Sequence, residues 1–578
     1  MKFEVNHKDR SVIIALGSQI RREGDKRVPS ALVAADDRFY EQASREDLVA
    51  FARMAAAHAL ERDRDNEVLR TKLGLIISLL DGSADVRRES SPIGELDLFA
   101  EDIRPLEFDE PMLEGASEPE TGKARVHHPK KGLTGATHVA ERVYRLDDEK
   151  LEALREAGFT VRELGEDVSE FYQTINSMIR MRVRRVSYTV KDGEGIETVI
   201  TAKAPDRFLP KTKVGDIFLA DVCHRKYAVH TPYNRTAQLL RLDGCNISRQ
   251  DLDRYQMQIF ERLGAMDGLF ERKALESRIL YIDEVPTVTQ GSKKKKNYVW
   301  IINNKGLAWY RYFEGRAGDG PLGAFNDWDG FCMSDAFSAY PAHLKKATLG
   351  ICLAHVRRRY VDHRKVTGSE EMVKVPLDCF GTIYHEDGRL RTLLEGGGID
   401  HARFLEERNR LCRPQLDTLK QWSEQCRAAG YHRNTSLERA VSYTLNNWQR
   451  IENTFANSEA EIDNNRSERL CKVVKLGSKN WITNGSFDGA RSSALMYSLI
   501  ETAKLYGLNA RNYLAYVFMK GAASYSWQIP AEELEPLMPW NVREEDLSIV
   551  TDEIDWLSRT MVPIQEWEER LAAEGDER

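Results

Sequence analysis

A chain of 578 residues, 42% hydrophobic and 30% charged, is long enough to bury more than one core, so several structural units are expected. Its longest apolar run, LGLIISLL, falls far short of a membrane span, and the opening MKFEVNHKDR lacks the apolar centre of a signal peptide. A membrane or secreted protein is thereby disfavoured, and an intracellular, cytoplasmic one expected. The eight cysteines include no C-x-x-C pair, which fits reduced thiols rather than a disulfide framework.

The net charge of −7 conceals an uneven distribution. Residues 529–578 carry 15 acidic and 4 basic side chains, residues 89–120 carry 11 and 1, and the remainder is left at +14. A basic body attracts polyanions, although scattered surface lysines and arginines give the same total.

In chain order, residues 1–82 contain an alternating stretch (SVIIAL) and then, over 44–80, apolar residues at three- and four-residue intervals without Gly or Pro. That spacing predicts a long helix, coiled-coil-like though with imperfect heptads. Residues 83–138 read as a linker, acidic and then basic at KARVHHPKKG. Within 139–205, RVRRVSYTV and IETVITAKA flank KDGEG and predict a hairpin in a small domain.

Residues 206–275 read as helical. A helix in DIFLADVCHRKY, a second from Pro232 to Leu242, a turn at Asp243 and Gly244 and a third helix capped by Ser248 outline a helix-turn-helix. Its last helix would offer Arg249, Gln250 and Arg254 to DNA; helix pairs that only pack are the plainer alternative.

Residues 276–364 hold the first chemistry. ILYI is a strand delivering Asp283, a lysine-rich turn follows, and YVWIIN returns as a second strand. GFCM is another strand and delivers Asp335; ATLGICLAHV is the next, and a helix with His355, Arg357, Arg358 and Arg359 leaves its edge. Cys352 and His355 have half the spacing of a zinc site but no second pair, so packing is expected for Cys352. The 52 residues between the aspartates suffice for a hairpin, a third strand and a connection. Residues 365–460 have helical periodicity and are expected as an α-helical insertion, whose Arg408, Arg410, Tyr443 and Trp448 could follow DNA backbone or stack on a base, with ordinary packing the favoured role for the two aromatics.

In 461–515, EIDNNRSERLCKVVKL predicts a helix capped by Asp463 or Asn464, with Glu468 about one turn inside. Glu284, Glu461 and Asp463 are competing carboxylates, expected to support or cap. Downstream, Lys472, Lys475, Lys479 and Asn480 suit phosphate contacts beside a Gly-rich loop. Residues 516–578 read as an acidic C-terminal tail.

YIDEVP, GFCMSDAFSAYP, ICLAHVRRRY, AVSYTLNNW, EIDNNRSERL, KLGSKNWI, GARSSALMYSLIETAKLYGLNARNYL and LMPWN, in this order, resemble the IS66 family of bacterial insertion-sequence transposases over about residues 139–545. The resemblance implies an α/β multidomain protein: an RNase H-like catalytic core with an α-helical insertion, preceded by helical DNA-binding and coiled-coil-like segments. It implies a DDE triad of Asp283, Asp335 and Glu468 that holds Mg²⁺, with Mn²⁺ able to substitute, and a place for His355 near the scissile strand. Double-stranded DNA, both element ends and target, would be the partner of a cytoplasmic, nucleoid-associated homo-oligomer, with small accessory proteins of the same element and no membrane. A catalytically inactive DNA-binding regulator and an RNase H-like nuclease that cuts without joining are the alternatives. One departure stands out: family members usually carry a Cys-rich zinc segment before the core, whereas no cysteine precedes Cys223 here, and His127, His128 and His138 cannot replace it. No structural zinc is expected.

The chemistry of the triad agrees with this. Phosphodiester cleavage and transfer use two divalent ions about 4 Å apart, and carboxylate oxygens are the ligands Mg²⁺ prefers.

Overall fold

The computed structural model describes residues 138–174, 178–192 and 197–576, apart from 295, 369 and 431–434, together with the strands Lys2–Asn6, Ser11–Leu16, Gln19–Arg21 and Ala84–Arg88. The helix expected over 44–80, the acidic stretch 89–120 and His127 and His128 lie outside the described residues. The chain divides into one unit of residues 1–131, 141–169 and 182–205, and a second of residues 132–140, 170–181 and 206–578.

In the first unit, Lys2–Asn6, Ser11–Leu16 and Gln19–Arg21 form a three-stranded antiparallel sheet. The expected hairpin is present, with Tyr188 opposite Ile200. Ala84–Arg88, assigned to the linker, instead pairs antiparallel with Glu197–Ala202; an unpaired edge is completed by any extended segment that reaches it. The helix Asp148–Glu156 turns Leu151 and Leu154 onto Val186, Tyr188, Val190 and Ile200. Opposite charges face each other across the long neighbouring strands, Arg184 with Glu141 and Glu166, and Arg145 with Glu163.

The second unit begins with four helices: α1 (Asp216–Tyr227), α2 (Tyr233–Leu242), α3 (Arg249–Leu263) and α4 (Met266–Leu275). The turn between α2 and α3 contains Gly244 at φ 75°, and Ser248 and Asp251 form a reciprocal capping box at the start of α3.

A five-stranded mixed sheet follows: β1 (Ile279–Thr287), β2 (Asn297–Asn304), β3 (Leu307–Phe313), β4 (Phe331–Ser334) and β5 (Thr348–Ile351), in the order β3-β2-β1-β4-β5. β1, β2 and β3 are antiparallel neighbours, while β4 and β5 run parallel to β1. Strands as apolar as YVWIIN and LAWYRYF are buried on both faces. The next helices are α5 (Leu353–Thr367), α6 (Lys374–Glu395), α7 (His401–Ala429), α8 (Ser436–Asn446) and α9 (Trp448–Ala456). The last four form the helical insertion, closed around Phe380, Leu416, Leu419, Val441 and Ile451.

The chain then forms α10 (Asn465–Trp481), α11 (Phe487–Leu505) and α12 (Ala510–Gly521). α10 packs on β1 and β2, and α11 on β3. The hydroxyls in SLIET have a specific use on this face. Ser498 accepts from Tyr310 N–H at 2.8 Å and Thr502 from Ala308 N–H at 3.1 Å, so the outer edge of β3 is satisfied inside the protein.

Residues 516–578 are not a trailing tail. They finish α12 and add α13 (Ser548–Thr560) and a terminal helix, Ile564–Asp576, while Leu534, Met538, Val550 and Leu557 are buried. Tyr513 anchors the turn with a hydroxyl donated to Leu537 O at 2.8 Å. Charge counting missed this because the acidic side chains occupy one face of helices whose other face is apolar.

Candidate active site

The parallel pairing of β1 with β4 fixes where the two aspartates lie. Ile279 is opposite Phe331, Leu280 opposite Cys332 and Tyr281 opposite Met333, and the same register carried two residues on sets Asp335 beside Asp283. Asp335 follows the last residue of β4, as expected. Asp283 does not end its strand. β1 continues to Thr287 because β2 keeps pairing with it, Asp283 opposite Ile301 and Val285 opposite Val299, after β4 has stopped.

Alternation along β1 sends Asp283 and Glu284 to opposite faces. Glu284 is clamped by the guanidinium of Arg316 and by the Tyr340 hydroxyl at 2.7 Å. Arg316 also lies 3.9 Å from Asp335 and covers the Phe337 ring at 3.8 Å. Asp335 accepts from Phe337 N–H at 2.8 Å.

Glu468 enters from the first turn of α10, which a buried polar network holds against the sheet. Asn303 of β2 donates to Tyr281 O at 2.9 Å and to the Ser467 hydroxyl at 2.7 Å, and Ser467 donates to Asn464. Asn464 in turn donates to Ile282 O at 3.2 Å, and its N–H meets the sulfur of Cys352 at 3.1 Å. Replacing Asn303 by alanine leaves a buried hydroxyl and a strand carbonyl short of a donor, at an expected cost of about 1–3 kcal/mol. Because the network holds α10 to the sheet, the urea midpoint should fall correspondingly; an unchanged midpoint would contradict this.

The electrostatics concentrate on Asp283. Burial, then Glu284, Glu468 and Asp335, push its carboxyl up to about 7. Glu468 lies 3.4 Å from Nε2 of His355, and burial lowers the His355 pKa against the opposing pull of Glu468. Among the described residues no three His, Cys, Asp or Glu side chains form a ready-made metal cluster. The donor set nevertheless suits a hard divalent cation: carboxylate oxygens whose mutual repulsion a cation would relieve.

The remaining sequence-predicted residues separate into groups. Arg357, Arg358 and Arg359 are exposed on α5, with Arg359 over the Tyr443 ring at 3.9 Å. Lys472, Lys475 and Lys479 are exposed and continue along α10 from Glu468 at helical spacing. Asn480 is exposed and donates to Leu476 O at 3.1 Å. Arg249 and Arg254 are exposed on α3 but each pairs with a carboxylate of its own helix, Asp253 at 3.3 Å and Asp251 at 2.6 Å. His355 faces Glu468. Cys352 is buried, with its thiol pushed up to about 12 by burial.

Arg408 is a correction. Far from reaching DNA backbone, it is fully buried and bonded to Asp387 at 2.7 Å. Trp448 takes the favoured packing role: it is buried and donates to Glu452 at 2.8 Å. Arg316, Asn303 and Ser467 escaped the sequence reading. The signals were a lone arginine in the Gly-rich EGRAGDG for Arg316 and a polar residue inside an apolar strand for Asn303, while Ser467 on α10 gave none.

The sequence matches the family described as "Transposase IS66 family" over residues 211–492 and the "IS66 C-terminal element" over residues 498–540. Three proteins of Sinorhizobium fredii (strain NBRC 101917 / NGR234) are similar. "Uncharacterized protein y4qI" is 26% identical over 446 residues, 73% of this chain and 79% of that protein. "Uncharacterized protein y4jD" is 26% identical over 411 residues, 67% and 77%, and "Uncharacterized protein y4hP" 22% identical over 415 residues, 68% and 74%. The two family segments together span more than half of the sequence and include the sheet, the helical insertion and α10; the chain belongs to the IS66 family of transposases.

Proposed function

We propose that this chain is a DDE transposase, with an RNase H-like core in which Asp283, Asp335 and Glu468 are the catalytic, metal-holding acids. The reading is carried by the β1/β4 register, which brings Asp335 alongside Asp283 at the foot of α10. A sheet with three antiparallel strands followed by two parallel ones, in the order β3-β2-β1-β4-β5, supports the core assignment.

A bound divalent cation, Mg²⁺ or Mn²⁺, supplies Lewis acidity to the scissile phosphate and an activated water or 3′-hydroxyl. The chain's own residues do the rest. Asp283, Asp335 and Glu468 provide the oxygens; Arg316 and the Asn303–Ser467–Asn464 network hold two of those acids in place. Arg357–Arg359 and the Lys472–Lys475–Lys479 stripe take DNA phosphates, and Asn480, Arg249 and Arg254 add weaker contacts. Joining two ends requires two to be held at once, so a homo-oligomer acting on cytoplasmic, nucleoid DNA is proposed, aided by small proteins of the same element.

An end-cleavage and joining assay with Mg²⁺ tests this. Joined products should form, and Glu468→Gln should reduce them roughly a thousandfold, the several kcal/mol a metal contributes to the transition state. Cut but unjoined products would identify a nuclease instead, and DNA binding without cleavage a regulator.

A further inference from the structure

Away from the three acids, a cleft of about 740 Å³ opens between the start of α2, α3 and the loop after α10. That volume equals a cube about 9 Å on a side, too small for a duplex whose major groove alone is about 12 Å wide, and within the range of small-ligand sites. On one wall, the half-buried Lys226 lies 3.8 Å from the Tyr233 ring and donates to Gln256 at 2.9 Å. Arg249 lies on the same side. The cleft is also lined by amides and an indole, Gln290, Asn480 and Trp481, with the indole centroid 6.0 Å from the Lys226 ammonium.

The loop after α10, which also lines the cleft, is held in an unfavourable conformation. Ile482 has φ 65° and ψ −55°, and Thr483 N–H bonds Trp481 O at 2.7 Å, so the chain makes the rare positive-φ γ-turn on a β-branched residue. Its side chain gains nothing in return, being 76% exposed. The turn is fixed from outside, by Asn484 N–H to Val288 O at 2.8 Å and by the Asn484 amide to the Thr287 hydroxyl at 3.0 Å. Strain that the surroundings enforce is characteristic of sites that must present a surface.

We propose that this cleft holds one unpaired nucleotide, its phosphate toward Lys226 and Arg249 and its base against Gln290, Asn480 and Trp481. The carboxylate of Asp253, paired with Arg249 at 3.3 Å, also lines the cleft and repels a bare anion. The ligand must therefore bring hydrogen-bond donors as well as charge, as a base with an exocyclic amine does. Amides read base edges, and aromatic faces stack on any base. Burial drives the Lys226 ammonium down to about 8, so a phosphate alongside it recovers lost charge stabilisation. Asn480 lies twelve residues beyond Glu468 on one helix, about 18 Å along its axis. A frayed strand end lying along that helix would thus be gripped a few nucleotides from the acids. This inference rests on the transposase reading for the source of the strand.

The test is fluorescence anisotropy with the full chain and a 30-base-pair duplex, either blunt or ending in a three-nucleotide single-stranded tail. The tailed duplex should bind at least about fivefold tighter, the low end of one base stacking. Lys226→Met should erase that preference and leave blunt-duplex binding within about twofold. Equal binding of both duplexes by the wild type, or an equal loss on both in the variant, overturns the proposal. Competition by deoxycytidine monophosphate would make a free nucleotide an occupant as well; no competition leaves the strand-borne nucleotide alone. As a readout that needs no variant, 5-iodouracil in the tail should cross-link to Trp481 or Tyr233, and cross-links mapping elsewhere reject the site. Failure of the transposase reading shows separately, as wild-type protein that does not cleave.

Discussion

Asp283→Asn is expected to make the metal-free protein more stable while abolishing the proposed strand transfer. The Asp283 carboxyl, at about 7 in the folded chain against 3.8 as its ordinary value, is disfavoured as an anion by burial and by Glu284, Glu468 and Asp335. The folded state binds its proton more tightly, so the penalty is absent below about pH 3.8, grows as the pH rises and is complete above about 7. Its full size is on the order of 4 kcal/mol, at 1.36 kcal/mol per pKa unit. Asparagine removes the charge at equal size. Urea unfolding in a chelating buffer should show the variant more stable than wild type at pH 8, with less than half of that gain left at pH 5. Mg²⁺ should then stabilise the wild type and leave the variant unmoved, because ligand binding adds stability only where the site exists. A gain independent of pH, or an equal Mg²⁺ response in both proteins, would remove Asp283 from the proposed metal site.

The second large effect lies in the helical insertion. Arg408 donates to Asp387 at 2.7 Å and to Asn457 O at 3.0 Å, with further contacts to Thr454 O and Ala460 O. Arg391 adds bonds to Ser458 O at 2.8 Å and Ala460 O at 2.6 Å. Together they gather the carbonyls of the segment that leads into Asn464 and α10, so a charge in the insertion holds the approach to Glu468. Arg408→Met leaves the buried Asp387 carboxylate with only the longer ion pair to Arg391 at 3.9 Å, at an expected cost of about 3 kcal/mol. Pairing it with Asp387→Leu should recover most of the loss, since replacing both partners of a buried pair by apolar groups is often close to neutral. Chemical denaturation of the two single variants and the double variant measures this. Were Arg408 a DNA contact, Arg408→Met would weaken DNA binding at unchanged stability.

Local patterns made much of the protein readable. The Ser248 cap, Gly244 in its turn, the Tyr188/Ile200 hairpin and the helices of the insertion depend on neighbours within a few residues, and the sequence reading found each of them. Ala84–Arg88 was missed because its partner strand lies more than a hundred residues away and its own five residues carry no turn or periodicity signal. The C-terminal segment was misread because net charge reports composition, whereas folding there depends on which face Leu534, Met538, Val550 and Leu557 occupy.

The candidate site divides along the same line. That Asp335 follows a strand and that Glu468 stands in the first turn of a helix was legible, since apolar runs and helical starts are local properties; Asp283 was expected at a strand end but lies inside β1, which pairing with β2 prolongs to Thr287. The sequence alone determined the kinds of element, the supply of acids and the basic stripes of α5 and α10. Only the tertiary structure decided that β4 runs parallel to β1 in the register that sets Asp335 beside Asp283, that Arg316 spans Glu284 and Asp335, and that Arg408 faces inward. These are pairings between residues far apart in the chain, and an arginine carries the same charge whether it meets a phosphate or a buried carboxylate. Which it meets is fixed by packing, because burial without a partner costs several kcal/mol and the fold must supply one.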